Sequence, residues 1–325
     1  MRQSVAGRTV QLLILGLLVM SLWAADRPGE GMRESSAQVC QAHGPSVVSA
    51  MTIERFHYPT HGTVDPSQNW ADLYLPTGRD EPDSIPLVVL IHGGAWQSDL
   101  GAAVFEPLAR ELAGRGMAVY NIEYRRIGSG GGWPTTFHDV AQALDYVIEV
   151  EKKYPQLTTD DELVVGHSSG AQLAVWGATR HKLRDDEVGS KPRFRPTRVI
   201  SLAGPLDMVY SAEHGDDRIV AALGGIPTDV PHRYASVDPV QNVDVRTLVI
   251  AMHGTDDTVV SPVNSQRYVD AVKQQGGKAA VELLPGQNHV SIVSPDSATF
   301  DRVLCAISET SQAELREILE EQQPG

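Results

Sequence analysis

The pentapeptide Gly166-His167-Ser168-Ser169-Gly170 has the pattern G-x-S-x-G, and its central hydroxyl is a candidate nucleophile. In a chain with 29 glycines so short a pattern can arise by chance, and its setting has to carry the argument. It follows an apolar run, Leu163-Val164-Val165, and leads into a helical pattern from Ala171. Strand, sharp turn and helix in that order lift a serine above a sheet edge; a glycine-rich turn with a helix-capping serine is the plainer alternative. A serine hydroxyl is a weak nucleophile at neutral pH and needs a base that a carboxylate orients. Among 11 histidines, His289 lies in Leu284-Pro-Gly-Gln-Asn-His289, just past the last predicted strand, and His253 ends the preceding one. An acid after the seventh strand and a base after the eighth give the order Ser, Asp, His. His289 is the expected base, and His253 is expected to serve the turn. Asp256 and Asp257 are neighbours whose side chains must diverge. Asp257 is the preferred acid, Asp256 its competitor, and Asp207 in Gly204-Pro-Leu-Asp207 a distant third.

Acyl transfer through a serine also needs N–H donors where negative charge develops on the substrate oxygen. His92-Gly93-Gly94-Ala95-Trp96 follows the apolar run from Pro86 to Ile91. A glycine pair there lets backbone amides turn into the site. Gly94 and Ala95, with the amide of Ser169, are the expected oxyanion donors, and His92 is expected to be structural.

These residues need a scaffold that brings strand ends together. Strands are predicted at Thr52 to Tyr58, Trp70 to Leu75, Pro86 to Ile91, Met117 to Tyr124, Glu162 to Gly166, Arg198 to Ala203, Thr247 to Met252 and Ala279 to Leu284. Helical spacing fills the gaps at Ala102 to Ala113, Phe137 to Tyr154, Ala171 to Thr179, Ser265 to Gln275 and Ala298 to Glu321. Strands alternating with helices predict an α/β chain with a mostly parallel, doubly wound sheet in one domain. His181 to Pro196 interrupts the rhythm as a polar segment. Val209 to Pro239 is too long for a bare loop and is expected to form a small cap over the C-terminal sheet edge.

The chain has 325 residues, 42% hydrophobic and 21% charged, with a formal net charge of −14. That balance disfavours nucleic acid and anionic lipid as partners. Arg2 and Arg8 precede an apolar run from Val10 to Ala25, which reads as a secretory signal or, uncleaved, an N-terminal membrane anchor. The expected division is 1–25 as signal or anchor, 26–48 as a flexible mature start and 49–325 as the catalytic domain. Either form of the signal places that domain outside the cytoplasm, periplasmic, secreted or membrane-anchored. Cys40 and Cys305 form an even pair that permits one disulfide in an exported chain. No Cys/His spacing suggests a metal.

From Thr52 to Ile307 the chain resembles the α/β-hydrolase superfamily, in the branch of bacterial esterases similar to kynurenine formamidase and hormone-sensitive lipase. The resemblance is carried by Ala71-Asp-Leu-Tyr-Leu-Pro76, His92-Gly-Gly-Ala-Trp96, Glu123-Tyr-Arg-Arg126, Gly166-His-Ser-Ser-Gly170, His253-Gly-Thr-Asp-Asp257 and Gly286-Gln-Asn-His289. It implies a carboxylic-ester hydrolase without cofactor, with Ser168, Asp257 and His289 in the family's triad positions. The pattern H-G-x-x-D places the acid fifth, at Asp257. Ala95 stands where the family has a third glycine, and Ser169 where many relatives have alanine. Trp96, Tyr124, Trp133 and His167 are the expected substrate-contacting residues. The expected substrate is a small ester with a short or medium acyl chain. An arylformamidase or another amide or peptide hydrolase is the alternative, and a non-catalytic binding module a distant one.

Overall fold

Short aliphatic runs covered on both faces build the centre of the fold, because each strand must satisfy its backbone in a ladder while burying alternate side chains above and below. The computed structural model describes residues 50–97, 100–158 and 162–312. Among them lie eight strands: β1 (Met51–His57), β2 (Trp70–Pro76), β3 (Leu87–Ile91), β4 (Ala118–Ile122), β5 (Leu163–His167), β6 (Arg198–Leu202), β7 (Leu248–Gly254) and β8 (Ala279–Leu284). They form one sheet in the order β1-β2-β4-β3-β5-β6-β7-β8. β1–β2 and β2–β4 pair antiparallel, and every later pair is parallel. This is the mostly parallel, doubly wound sheet expected of an α/β-hydrolase.

The helices divide between the two faces. α1 (Glu106–Gly114) and α9 (Phe300–Gln312) cover one face, where Leu108, Leu112, Val303 and Leu304 meet Val88, Leu90, Val119 and Val165. The other face carries α2 (Thr135–Asp145), α3 (Val147–Lys153), α4 (Ser169–Thr179) and α8 (Val263–Gln274). There Phe137, Leu144, Trp176 and Tyr268 meet Val89, Ile91, Tyr120 and Val249. Two expected helices differ in detail. The helix expected from Ala102 opens as a 3-10 turn, Ala102–Phe105, and becomes α-helical at Glu106. Pro107 sits in the first turn of α1, where a missing N–H is harmless. The long helix expected from Phe137 to Tyr154 is interrupted at Tyr146. Beside the break, the Asp145 carboxylate is drawn off by Arg180 and by the amides of Arg193 and Phe194.

The excursion from Val209 to Pro239 is structured as three short helices: α5 (Met208–Glu213), α6 (Asp217–Leu223) and α7 (Pro231–Val237). Asp207 and Asp216 cap the first two, and Gly224 ends α6 in the left-handed region. The buried Asp238 carboxylate accepts the Met208 and Val209 amides, tying the two ends of the excursion together. α7 docks on α4 through Gln172 and Trp176, which donate to the Val237 and Ser236 carbonyls. No helix among the described residues is long and apolar enough to cross a membrane. The signal or anchor at 1–25, the start at 26–48 and Cys40 lie outside the described residues, and with Cys40 its pairing to Cys305. Cys305 itself is buried on α9.

Candidate active site

Ser168 occupies the turn between β5 and α4 with φ +56° and ψ −123°, a conformation unfavourable for a residue with a Cβ. Two glycines make the turn possible. A Cβ on Gly166 would lie 2.1 Å from the Gly170 carbonyl oxygen, and one on Gly170 would lie 2.1 Å from that of Ile91. The Ser168 amide donates to the Leu202 carbonyl on β6, which pins the turn to the sheet. The hydroxyl therefore stands at the N-terminal end of α4, whose dipole favours negative charge there.

The turns after β7 and β8 supply its partners. His289 Nε2 lies 2.8 Å from Ser168 Oγ, and its Nδ1 lies 2.7 Å from Asp257 Oδ2. With Nδ1–H donating to the carboxylate, Nε2 is left to accept the serine proton. The other Asp257 oxygen accepts the amides of Val259 and Val260 at 2.8 and 2.9 Å. Burial pushes this carboxyl's pKa up, but hydrogen bonds from His253, His289 and the Val260 amide win and hold it well below the usual carboxylate range. It is ionised at neutral pH.

The competitors of Asp257 lie elsewhere. Asp256 is exposed and accepts from the Thr255 hydroxyl, while Asp207 pairs with Arg267 at 2.6 Å. His253 is fully buried, its Nε2 lying 3.2 Å from Asp257 Oδ2 and 2.9 Å from the Val260 carbonyl, its Nδ1 2.8 Å from Ser265 Oγ. It braces the acid from the side opposite His289.

The glycine segment after β3 runs against the nucleophile: a Cβ on Gly93 would lie 2.9 Å from that of Ser168. Gly94, Ala95 and Trp96 all have positive φ, at +124°, +56° and +56°. The amides of Gly94, Ala95 and Ser169 have no acceptor among the described residues. The segment is held from behind by Glu123, at the end of β4. One oxygen of Glu123 accepts the Ala102 amide; the other lies 3.2 Å from His92 Nε2 and also takes Arg126. Burial pushes the Glu123 carboxyl up, and contact with His92 and these donors brings it below its ordinary value. One carboxylate thus clamps both ends of the stretch from 92 to 102. Glu123-Tyr-Arg-Arg126 stands out in the sequence as a motif, but this role does not, because the partners are up to 31 residues away.

Two residues expected at the substrate are buried. Tyr124 is fully buried, its ring stacked on His92 at 4.4 Å and its hydroxyl donating to the His92 carbonyl. Trp96 is also buried, in the core under the glycine segment. Both support the loop. Trp133 is half-buried beside Phe137, with the Arg233 guanidinium of α7 over its ring at 5.6 Å. His167 is half-buried next to the nucleophile, and its Nε2–H donates to the His289 carbonyl at 2.8 Å. Burial, reinforced by His289, pushes its pKa down to about 4, so the ring is neutral at pH 7. Arg125 is spent on a bidentate pair with Asp139. Among the described residues no cluster of His, Cys, Asp or Glu is arranged to hold a metal ion.

The chain is 24% identical over 245 residues to a probable isoprenylcysteine alpha-carbonyl methylesterase of rice (Oryza sativa subsp. japonica), covering 71% of this chain and 58% of that one. It thus spans just over half the length of the curated relative. A kynurenine formamidase of Drosophila melanogaster is 20% identical over 276 residues, covering 82% of this chain and 84% of its own. Among solved structures, a truncated carbohydrate esterase from gut microbiota superposes with a TM-score of 0.67 at 21% identity, covering 83% of this chain and all of that one. That likeness establishes the fold. A family model matches residues 71–272, from β2 through most of α8 and therefore across Ser168 and Asp257, and the chain belongs to the BD-FAE family of α/β-hydrolase-like esterases.

Proposed function

We propose that this chain hydrolyses small carboxylic esters through an acyl-enzyme on Ser168. The observation that carries this reading is the unbroken hydrogen-bonded chain from Ser168 Oγ through His289 to an ionised Asp257. Ser168 Oγ attacks the ester carbonyl carbon as its proton passes to His289 Nε2, and Asp257 stabilises the imidazolium. The carbonyl oxygen becomes an oxyanion that the unpaired amides of Gly94, Ala95 and Ser169 are placed to receive. Collapse breaks the ester C–O bond, and His289 returns the proton to the leaving alkoxide. Water, deprotonated by His289, then attacks the acyl-enzyme, and its collapse frees the acid and restores the serine. Esterases among the relatives and neighbours support the reaction class. The substrates proposed carry short or medium acyl groups.

The test is Ser168→Ala on p-nitrophenyl acetate and butyrate. The expected kcat is lower by about a millionfold, as in triads that act as a unit, with the fold unchanged by circular dichroism. Activity above a tenth of wild type would overturn the assignment. A formamidase reading has its own support, since the Drosophila relative matches over most of both chains. N-formylkynurenine assayed in parallel separates the two by their kcat/KM ratio. Failure of a fluorophosphonate probe to label the chain would instead favour a binding module.

A further inference from the structure

At the edge of the sheet opposite Ser168, a small cavity of about 180 Å³ opens between the C-terminal end of α4 and the segments that enter β6 and β7. It lies roughly 16 Å along α4 from the nucleophile turn, taking 1.5 Å per residue over its 11 residues. Its lining includes His181, Arg195, Thr197, Asp244 and Arg246. Two guanidinium groups face one carboxylate there, in a chain whose overall charge is −14.

That carboxylate is already engaged. Asp244 accepts the Arg246 amide at 3.1 Å and lies 2.9 Å from His181 Nε2, and its two oxygens contact Arg246 Nε and Nη2 at 3.3 Å. These contacts fix one edge of the Arg246 guanidinium and leave Nη1 without a partner among the described residues. Arg195 has no acidic partner among them at all. The Thr197 hydroxyl is enclosed with no hydrogen-bond partner among the described residues. Excess positive charge, unused guanidinium donors and an unsatisfied hydroxyl around one cavity are the features of an oxyanion receptor.

We propose that this cavity binds a small oxyanion, a carboxylate or phosphate group, held by Arg195 and Arg246. Its volume equals that of several water molecules, enough for such a group and too little for a nucleotide. The test is calorimetric titration of the whole chain with sodium phosphate and with sodium acetate, at constant ionic strength set with chloride. Saturable one-site binding is expected, weakened at least tenfold in the Arg195→Gln/Arg246→Gln double variant, with p-nitrophenyl acetate hydrolysis unchanged. Binding of phosphate alone identifies a tetrahedral ligand, and binding of acetate alone a planar one. Acetate that occupies the Ser168 site instead survives the double substitution and counts against the proposal. No saturable binding at tens of millimolar, or equal binding by variant and wild type, overturns it. If the double variant unfolds, Arg195→Gln alone carries the same test, since that exposed side chain holds no acidic partner in the fold.

Discussion

At Asp257 a single carboxylate serves two histidines and two backbone amides, while its neighbour Asp256 faces solvent. The pair therefore separates cleanly by mutation. Asp257→Asn keeps the shape but favours the wrong tautomer of His289, and kcat is expected to fall about 10⁴-fold. Asp256→Asn is expected to stay within about twofold, because surface substitutions away from such contacts change little. Steady-state rates on p-nitrophenyl acetate decide it, and a larger loss at Asp256 would reassign the acid. Ser168 and His289 stood out in the sequence because each follows a strand end in a recognisable pattern. Asp257 was preferred over Asp256 and family register strengthened that choice, since adjacent residues on a turn carry no periodicity that tells which points inward. Trp96 and Tyr124 show the opposite failure. Their place beside the glycine segment and β4 was legible, but whether an aromatic ring faces a cleft or the core depends on neighbours distant in sequence.

Each of the turns that hold these residues depends on one or two close approaches. Gly170→Ala would force a Cβ to 2.1 Å from a backbone oxygen that cannot move without β3. A loss of more than about 3 kcal/mol of stability is expected, beyond ordinary overpacking. Gly62→Ala, at φ +80° in open space, should cost only about 1–2 kcal/mol, the strain of the left-handed backbone alone. Urea midpoints of the two variants measure the difference. Glu123→Gln tests the clamp on the glycine segment: the triad side chains are untouched, yet kcat is expected to fall tenfold or more with little change in KM, because amides that drift lose transition-state contact. A change in KM alone would show that Glu123 serves only structure. The strands and most helices were legible from hydrophobic periodicity. The break at Tyr146 was not, because the contacts that draw Asp145 away come from Arg180, Arg193 and Phe194, 35 to 49 residues downstream.

For the molecule as a whole, two groups make stability depend on pH in opposite directions. His167 is depressed to about 4 by burial and His289, below the roughly 6.5 of a free imidazole. Between those values the unfolded chain binds the extra proton, so this group's contribution is complete above about 6.5 and is lost as pH falls toward 4. Asp238 is raised to about 6 by burial, against roughly 3.9 for a free carboxyl. There the folded state binds the proton, so its contribution is greatest in acid and is lost as pH rises through 6. His167→Gln should flatten the acid-side fall in Tm, and Asp238→Asn should steepen it. Melting curves between pH 4 and 7 read both slopes, and slopes that shift in the same direction would refute the pair. The glycines flanking Ser168 have a historical consequence as well. Gly166 and Gly170 answer to backbone on α4 and β3, and neither contact involves the hydroxyl between them. A descendant that lost Ser168 would stay under selection to keep both glycines, so the outer letters of this signature record ancestry of architecture. Within this pentapeptide, the central letter is the one that bears on whether a relative can still be a working enzyme.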